Sequence, residues 1–275
     1  MMSTKANASS KPIGIFDSGI GGLTVAQALV KQLPNENIIY FGDTAHLPYG
    51  DKSAAAIQAY AVKITHMLLQ QECKLILIAC HTASSAAFDL VKEYVGSKAH
   101  VVNVIDPVVN HLRESYGKKC VGLIGTKATI NSNIYKKRID ELNIGITLKS
   151  QATSILASAI EEGFHHQAVI DALLKEYLSR ETLNKIDALI LGCTHYPVIK
   201  KNISNYYHDK IDIIDPSEIV ATAVKARLEL DDLANKNKSA GTKRFYISDY
   251  TQSFADNTRL FFDETISLEH YPIWD

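Results

Sequence analysis

Two cysteines of this 275-residue chain stand in similar surroundings. Cys80 follows the run Leu-Ile-Leu-Ile-Ala and precedes His81, and Cys193 follows Ala-Leu-Ile-Leu-Gly and stands two residues before His195. A thiol becomes a good base or nucleophile when a helix N-terminus or a nearby cation lowers its pKa. One thiol with a histidine would suggest covalent catalysis. Two equivalent thiols suggest a reaction in which one removes a proton from a carbon and the other returns a proton to the opposite face.

The elements that must position these thiols are short apolar strands alternating with helices. We predict strands at Ile13–Phe16, Ile38–Phe41, Leu75–Cys80, Val101–Ile105, Cys120–Ile124, Ile144–Leu148, Ala188–Leu191, Ile211–Ile214 and Arg244–Ser248. Both cysteines are expected to precede helices. This alternation is typical of an α/β fold with parallel sheets covered on both faces.

The two halves of the chain repeat each other. Three pairs of landmarks lie at offsets of 108, 109 and 113 residues, namely Gly14 with Gly122, Asp106 with Asp215, and Cys80 with Cys193. Such a repeat indicates duplicated α/β halves. Ligands of open α/β sheets bind beyond the carboxyl ends of the strands, where Asp17, Thr126 and both cysteines are expected. If the halves face each other, these residues line one cleft.

Composition excludes several functional classes. The formal net charge is −1, which provides no electrostatic footprint for a nucleic-acid partner. No run approaches the roughly 18 apolar residues of a membrane span, and residues 1–11 read as a disordered lead-in rather than a secretion signal. The four cysteines form no CxxC pair, so we expect no structural zinc. Without a secretion signal we also expect no disulfides. The chain is therefore expected to be cytoplasmic, with its thiols reduced.

Four segments carry a resemblance to a known family. They are Gly-Ile-Phe-Asp-Ser-Gly-Ile-Gly-Gly-Leu from Gly14, Asp-Thr-Ala with Pro-Tyr-Gly from Asp43, Ala-Cys-His-Thr-Ala-Ser from Ala79, and Gly-Cys-Thr-His-Tyr-Pro from Gly192. In this order they resemble the signatures of the glutamate racemases, which belong to the cofactor-independent aspartate/glutamate racemases. The similarity runs from about Pro12 to the C-terminal region.

The resemblance implies a fold of two pseudo-symmetric α/β domains with mostly parallel sheets and an active site in the interdomain cleft. The first domain would comprise residues 1–105 and 215–275, and the second residues 106–214. It also implies a homodimer and a reaction without cofactor or metal. That reaction would convert L-glutamate to D-glutamate for peptidoglycan by proton transfer between two thiols.

The resemblance also implies roles for single residues. Cys80 and Cys193 would be the catalytic bases on opposite faces of Cα, and Asp17 and His195 would each assist a thiol. The positions that match the family's substrate-binding residues are Asp17, Ser18, Tyr49, Gly50, His81, Thr82, Thr194, His195 and, on a weaker local match, Glu161.

One position departs from the family's pattern. The family usually has asparagine after the first cysteine, and this chain has His81. Histidine can also donate and accept hydrogen bonds, but it is bulkier and can carry charge. A charged His81 would lower the pKa of Cys80 and favour an anionic substrate, whereas a neutral one would only reshape the pocket.

Three other functions fit parts of the sequence. The glycine turn after Asp17, with Asp43 about 20 residues later, is similar to a dinucleotide site, but its spacing is G-x-G-G rather than G-x-G-x-x-G. A non-catalytic binding protein for an acidic amino acid would share the two halves but has no use for paired thiols. A racemase of aspartate or another acidic amino acid is the nearest alternative.

Overall fold

Two separate parallel sheets flanked by helices form the framework of the computed structural model, which describes residues 8–164 and 168–275. The strands are β1 (Ile13–Asp17), β2 (Ile38–Gly42), β3 (Leu75–Ile78), β4 (His100–Asn103), β5 (Cys120–Gly125), β6 (Thr147–Ala152), β7 (Ala188–Gly192), β8 (Asp212–Ile214), β9 (Lys243–Ile247) and β10 (Leu268–His270). The first sheet has the order β10-β9-β2-β1-β3-β4 and the second β6-β5-β7-β8. The predicted α/β fold class is confirmed.

The helices connect these strands and cover them. They are α1 (Leu23–Gln32), α2 (Ala54–Gln70), α3 (His81–Val95), α4 (Ile105–Ser115), α5 (Lys127–Asn131), α6 (Ile134–Leu142), α7 (Leu156–Glu161), α8 (Ala168–Leu178), α9 (Lys200–Tyr206), α10 (Pro216–Leu230) and α11 (Gln252–Asn257). Strands β1, β2, β3 and β7 are buried along their whole length, as expected for parallel strands covered on both faces. Helix α10 follows the last strand of the second sheet. It packs against α1 and α4, which follow strands of the first sheet, and so joins the elements around the two sheets.

The strand predicted at Val101–Ile105 ends two residues early. The side-chain oxygen of Asn103 accepts hydrogen bonds from the backbone N–H groups of Ile105 and Asp106, both at 2.8 Å, and this starts helix α4. Pro107 fits there because a proline in the first turn of a helix removes no needed hydrogen bond. This helix was not predicted from the sequence.

The strand predicted at Leu75–Cys80 also ends two residues early, at Ile78. Two other strands differ from expectation. The strand predicted at Ile144–Leu148 lies instead at β6, because Gly145 has φ +73°, a conformation that does not continue a strand. Strand β10 was not predicted; it is a three-residue edge strand beside β9. Such a short strand has no periodic pattern that separates it from a loop.

The division of the strands supports the proposed domains. Strands of the first sheet come from residues 13–103 and 243–270, and those of the second from residues 120–214. The boundaries at 105/106 and 214/215 remain a proposal. Of the predicted lead-in, residues 1–7 lie outside the described residues, whereas the carbonyl of Ser9 accepts a hydrogen bond from Lys74 Nζ.

Within the described ranges, no helix combines the length and apolarity that crossing a membrane requires. Nor do three or more histidine, cysteine or acidic side chains of these ranges gather into a group able to hold a metal ion.

Candidate active site

Cys80 and Cys193 line one cavity between the two sheets. Cys80 lies two residues beyond the end of β3, and Cys193 directly follows β7. The cavity has a volume of about 40 Å³ and is lined by Ser18, Leu47, Pro48, Tyr49, Gly50, Cys80, His81, Thr82, Thr126, Ala157, Ser158, Glu161, Gly192, Cys193, Thr194 and His195.

The thiol of Cys80 stands at the N-terminus of helix α3. As the residue that caps the helix, it accepts a hydrogen bond from the N–H of Ala83 at 3.4 Å, and its Sγ lies 3.6 Å from the Oγ of Ser18. Burial, reinforced by the nearby charge of Asp17, raises the pKa of this thiol to about 12, although the contacts with Ala83 and Ser18 oppose the rise. Cys80 is therefore held as a protonated thiol at neutral pH.

Cys193 has a different environment. The prediction that a helix follows it directly is wrong, because Cys193 leads into a turn and a short 3₁₀ segment, Tyr196–Ile199, before α9 begins. Its polar neighbour is instead His195, whose Nδ1 lies 3.7 Å from Sγ. The two thiols are thus equivalent in the topology but not in their electrostatic partners.

His195 connects Cys193 to a carboxylate. Its Nε2 lies 3.6 Å from Oε2 of Glu161, and the edge of its ring packs against Phe261 with ring centroids 5.3 Å apart. Burial alone would lower the pKa of this imidazole, but the interactions with Cys193 and Glu161 outweigh burial and raise the pKa well above its usual value. A cation at His195 is therefore favoured between the thiol and the carboxylate.

Asp17 lies just behind the cavity wall, at the end of β1. Its Oδ2 accepts hydrogen bonds from the N–H groups of Gly19 and Gly22, at 3.1 and 3.0 Å, and Thr194 Oγ1 donates to its Oδ1 at 3.5 Å. Burial raises the pKa of this carboxyl, while the charge of His195 and the two N–H groups oppose the rise. Asp17 therefore affects the cavity in two ways. It accepts a hydrogen bond from the lining residue Thr194, and its charge raises the pKa of Cys80.

The glycine turn makes this arrangement possible sterically. A Cβ atom at Gly21 would stand 2.5 Å from the His195 ring, and one at Gly22 would stand 2.5 Å from the Cβ of Asp17. The turn is thus packed closely against the side chains of His195 and Asp17.

His81, the residue that departs from the family pattern, is buried and neutral. Burial lowers the pKa of its imidazole to about 3. Both ring nitrogens lack a hydrogen-bond partner, and the ring stacks on Tyr135 with centroids 6.2 Å apart and planes at 17°. The alternative of a charged His81 that lowers the pKa of Cys80 is therefore wrong for this structure.

Three threonines bind the two halves together at the cavity. Thr82 Oγ1, at the start of α3, lies 2.9 Å from Thr126 Oγ1 and 3.3 Å from Thr129 Oγ1. Thr126 in turn caps helix α5, accepting a hydrogen bond from the N–H of Thr129. The pair Thr82 and Thr126 closes one side of the cleft.

The predicted residues Tyr49 and Gly50 belong to a loop that forms another wall. The hydroxyl of Tyr49 donates to Asp43 Oδ2 at 2.6 Å, away from the thiols. A Cβ atom at Gly50 would lie 3.0 Å from the Cβ of Thr126, so the loop touches the second half of the protein directly.

The structure brings together every residue predicted for the site, with Asp17 immediately behind the lining. Outside the quoted motifs, three lining residues were not predicted from the sequence: Leu47, Ala157 and Ser158. Leu47 stands between the quoted motif residues and could have been inferred from them. Ser158 lies on α7 and has no local signal that marks it.

Comparison with known proteins agrees with the motifs. The model of the Asp/Glu/Hydantoin racemase family matches residues 13–224. Among curated relatives, a glutamate racemase of Chlorobaculum parvum is 40% identical over 260 residues, covering 94% of this chain and 95% of that protein. One of Syntrophus aciditrophicus is 42% identical over 243 residues, covering 88% and 89%.

A solved structure is similar over nearly the whole chain. The glutamate racemase of Francisella tularensis, crystallised in complex with D-glutamate, superposes with a TM-score of 0.90 at 40% identity, covering 97% of this chain and 99% of that one. The resemblance drawn from the four sequence segments is confirmed.

Proposed function

The chain belongs to the Asp/Glu/Hydantoin racemase family and is an amino-acid racemase, and we propose that it interconverts L- and D-glutamate by proton transfer between Cys193 and Cys80. The observation that carries the mechanism is that one cavity is lined by two thiols, one of which lies 3.7 Å from the imidazole of His195. Relatives and a superposable structure named as glutamate racemases support glutamate as the substrate.

The two thiols start from different protonation states in this mechanism. A cation at His195 stabilises a thiolate at Cys193, 3.7 Å away, so Cys193 removes the Cα proton of one enantiomer. Cys80, whose pKa is raised to about 12, carries the proton that is delivered to the opposite face. In the reverse direction the roles exchange, as microscopic reversibility requires.

The polar groups around the thiols suit an amino acid with two carboxylates. The hydroxyls of Ser18, Thr82 and Thr194 can donate hydrogen bonds to carboxylate oxygens. Neutral His81, with both ring nitrogens unpartnered, has a donor and an acceptor available for the substrate. Glu161 acts through His195 in this proposal, and no cofactor or metal takes part.

Hydrogen exchange with solvent tests the proposal. Either enantiomer of glutamate, incubated with the protein in deuterated water, should take up deuterium at Cα and approach the racemate by chiral chromatography. A panel that includes aspartate tests the substrate. Racemisation of aspartate without racemisation of glutamate would overturn the substrate, and binding without exchange would favour the non-catalytic alternative.

Substitution of each thiol tests the mechanism. Cys80→Ser and Cys193→Ser should each reduce racemisation at least about hundredfold, since general acid–base groups contribute roughly 10²–10⁴ in rate. Cys120→Ser is the matched control, because Cys120 lies at the start of β5, away from the cavity lining. Full activity in both single variants would contradict a two-thiol mechanism.

The biological role and assembly also belong to the proposal. Production of D-glutamate for peptidoglycan predicts that the gene supports growth of a bacterial strain that depends on added D-glutamate. A homodimer predicts a sedimentation mass of twice the chain's 30.4 kDa. Failure to relieve the D-glutamate requirement, or a monomer at assay concentrations, would count against the corresponding part.

A further inference from the structure

A fully buried carboxylate, Asp43, lies behind the loop that forms one wall of the cavity. Its Oδ2 accepts the Tyr49 hydroxyl at 2.6 Å and lies 3.0 Å from His46 Nδ1. Its Oδ1 accepts Ser248 Oγ at 2.8 Å and the indole N–H of Trp274 at 2.7 Å. A carboxylate has about four lone-pair sites, so these four donors saturate it. Two of them come from the far C-terminal part of the chain.

Trp274 is the next-to-last residue, and it is tied to this loop at several points. Its ring meets that of His46 edge-on, with centroids 4.4 Å apart, and lies 5.4 Å from that of Tyr60. Lys63 Nζ stands 4.7 Å from the centre of the indole. These contacts hold the C-terminal segment against the Asp43 carboxylate and helix α2.

The loop connects this anchor to the cavity. Leu47, Pro48, Tyr49 and Gly50 all line the cavity. Leu47 fills the space beside Gly19, where a Cβ atom would come within 2.8 Å of its side chain, and Gly50 lies against Thr126 of the second half. The position of the loop therefore sets the width of the space beside Cys80.

We propose that Trp274 is a positioning residue of the racemase site, which holds the loop 47–50 in place by its N–H bond to Asp43. The bond joins Trp274 to Asp43, which does not itself line the cavity. Trp274 therefore acts on the lining residues through Asp43 and through Tyr49, whose hydroxyl Asp43 holds. The inference rests on the proposed function, because it concerns how the substrate is bound during racemisation.

Removal of the indole N–H should weaken substrate binding more than turnover. Loss of one donor leaves a buried carboxylate oxygen under-satisfied, which loosens the loop that the donor orders. The substitution Trp274→Phe retains an aromatic ring beside His46 and Tyr60. We expect KM to rise about fivefold with kcat within about twofold of wild type, the pattern of lost uniform binding.

Two further variants separate positioning from a purely structural role. Ser248→Ala removes another donor to Oδ1 of Asp43 and should raise KM about as much as Trp274→Phe does. Tyr271→Phe removes one polar atom from an aromatic residue of the same C-terminal segment, which packs on Phe41 and Tyr246, and should leave KM unchanged. Thermal unfolding of all three variants is measured alongside the kinetics.

The outcomes are distinct. A raised KM in Trp274→Phe and Ser248→Ala, but not in Tyr271→Phe, supports the inference. A wild-type KM in Trp274→Phe, or a loss of kcat that parallels a lowered Tm with unchanged KM, overturns it. If wild type does not racemise glutamate, the proposed substrate is wrong, and the same KM comparison is made with the acidic amino acid that it does racemise.

Discussion

The Nδ1 atom of His195 lies 3.7 Å from the Sγ atom of Cys193. No imidazole holds the corresponding place beside Cys80 among the residues that the structure describes, where a backbone N–H and the Ser18 hydroxyl contact the sulfur instead. A duplicated framework thus presents two thiols with different partners. In the proposed mechanism this asymmetry decides which thiol starts as the base, and the pH dependence of the reaction is then expected to depend on His195.

Glu161→Gln should move the alkaline limit of activity to lower pH. The interactions with Cys193 and Glu161 raise the pKa of His195 well above its usual value against the effect of burial, so the imidazolium persists at neutral pH. Without the carboxylate 3.6 Å away, that pKa falls, because a close opposite charge that favours the imidazolium is lost. The pH profile of kcat/KM measures the shift.

The neighbouring Glu162 provides a control for this prediction. It is exposed, so Glu162→Gln should leave the alkaline limit in place. The pair of His195 and Glu161 also affects the stability of the fold. Its contribution is fully present below the ordinary histidine pKa of about 6.5 and is lost as the pH rises through the raised pKa of His195. An unchanged alkaline limit in Glu161→Gln would show that His195 does not depend on Glu161.

His81→Asn should make the protein more resistant to acid. The pKa of His81 is lowered by burial to about 3 in the folded state, so between pH 6.5 and about 3 only the unfolded chain binds this proton. The contribution of His81 to stability is then fully present above its pKa in the unfolded chain and is lost as the pH falls. From pH 7 to pH 5, wild type should lose about 2 kcal/mol more than the variant.

Urea unfolding at the two pH values measures this difference. His208→Asn is the matched control, because His208 is exposed and its backbone conformation, with φ 54°, suits asparagine. It should lose as much stability as wild type. Equal losses in His81→Asn and wild type would mean that His81 is protonated in the folded protein.

Gly21→Ala should abolish most activity by displacing His195. The new methyl group would stand 2.5 Å from the Cε1 and Nδ1 atoms of the ring, so the imidazole must leave its place beside Cys193. A displacement of about 1 Å in a catalytic group can reduce the rate about hundredfold. Steady-state kinetics with glutamate measure the loss in kcat/KM.

Gly117→Ala is the control for this steric argument. A Cβ atom there would meet only the carbonyl of Ile144, at an ordinary contact distance of 3.7 Å. The control should have wild-type kinetics. Retention of more than half of the activity in Gly21→Ala would show that the ring can reposition itself without cost to the reaction.

The sequence by itself determined the framework and the place of both thiols. Buried parallel strands need continuous apolar runs, and the runs before Cys80 and Cys193 are local patterns that can be read without a structure. The carboxyl ends of such strands lie at one edge of each sheet, and the expected cleft residues lie together because the cavity lies between these two edges. The helix after Asn103 was missed because an asparagine side chain, rather than periodicity, starts it.

Only the tertiary structure decided the electrostatics. The pairing of His195 with Glu161 and the contact of Trp274 with Asp43 each join segments that are distant in the chain. The neutral state of His81 results from the burial of its ring, whose nitrogens have no hydrogen-bond partner. Charge states depend on burial and on partners within a few ångströms, and neither is set by neighbours in sequence. Residue types and spacing therefore predict which groups meet, whereas folding decides which of them carries the proton.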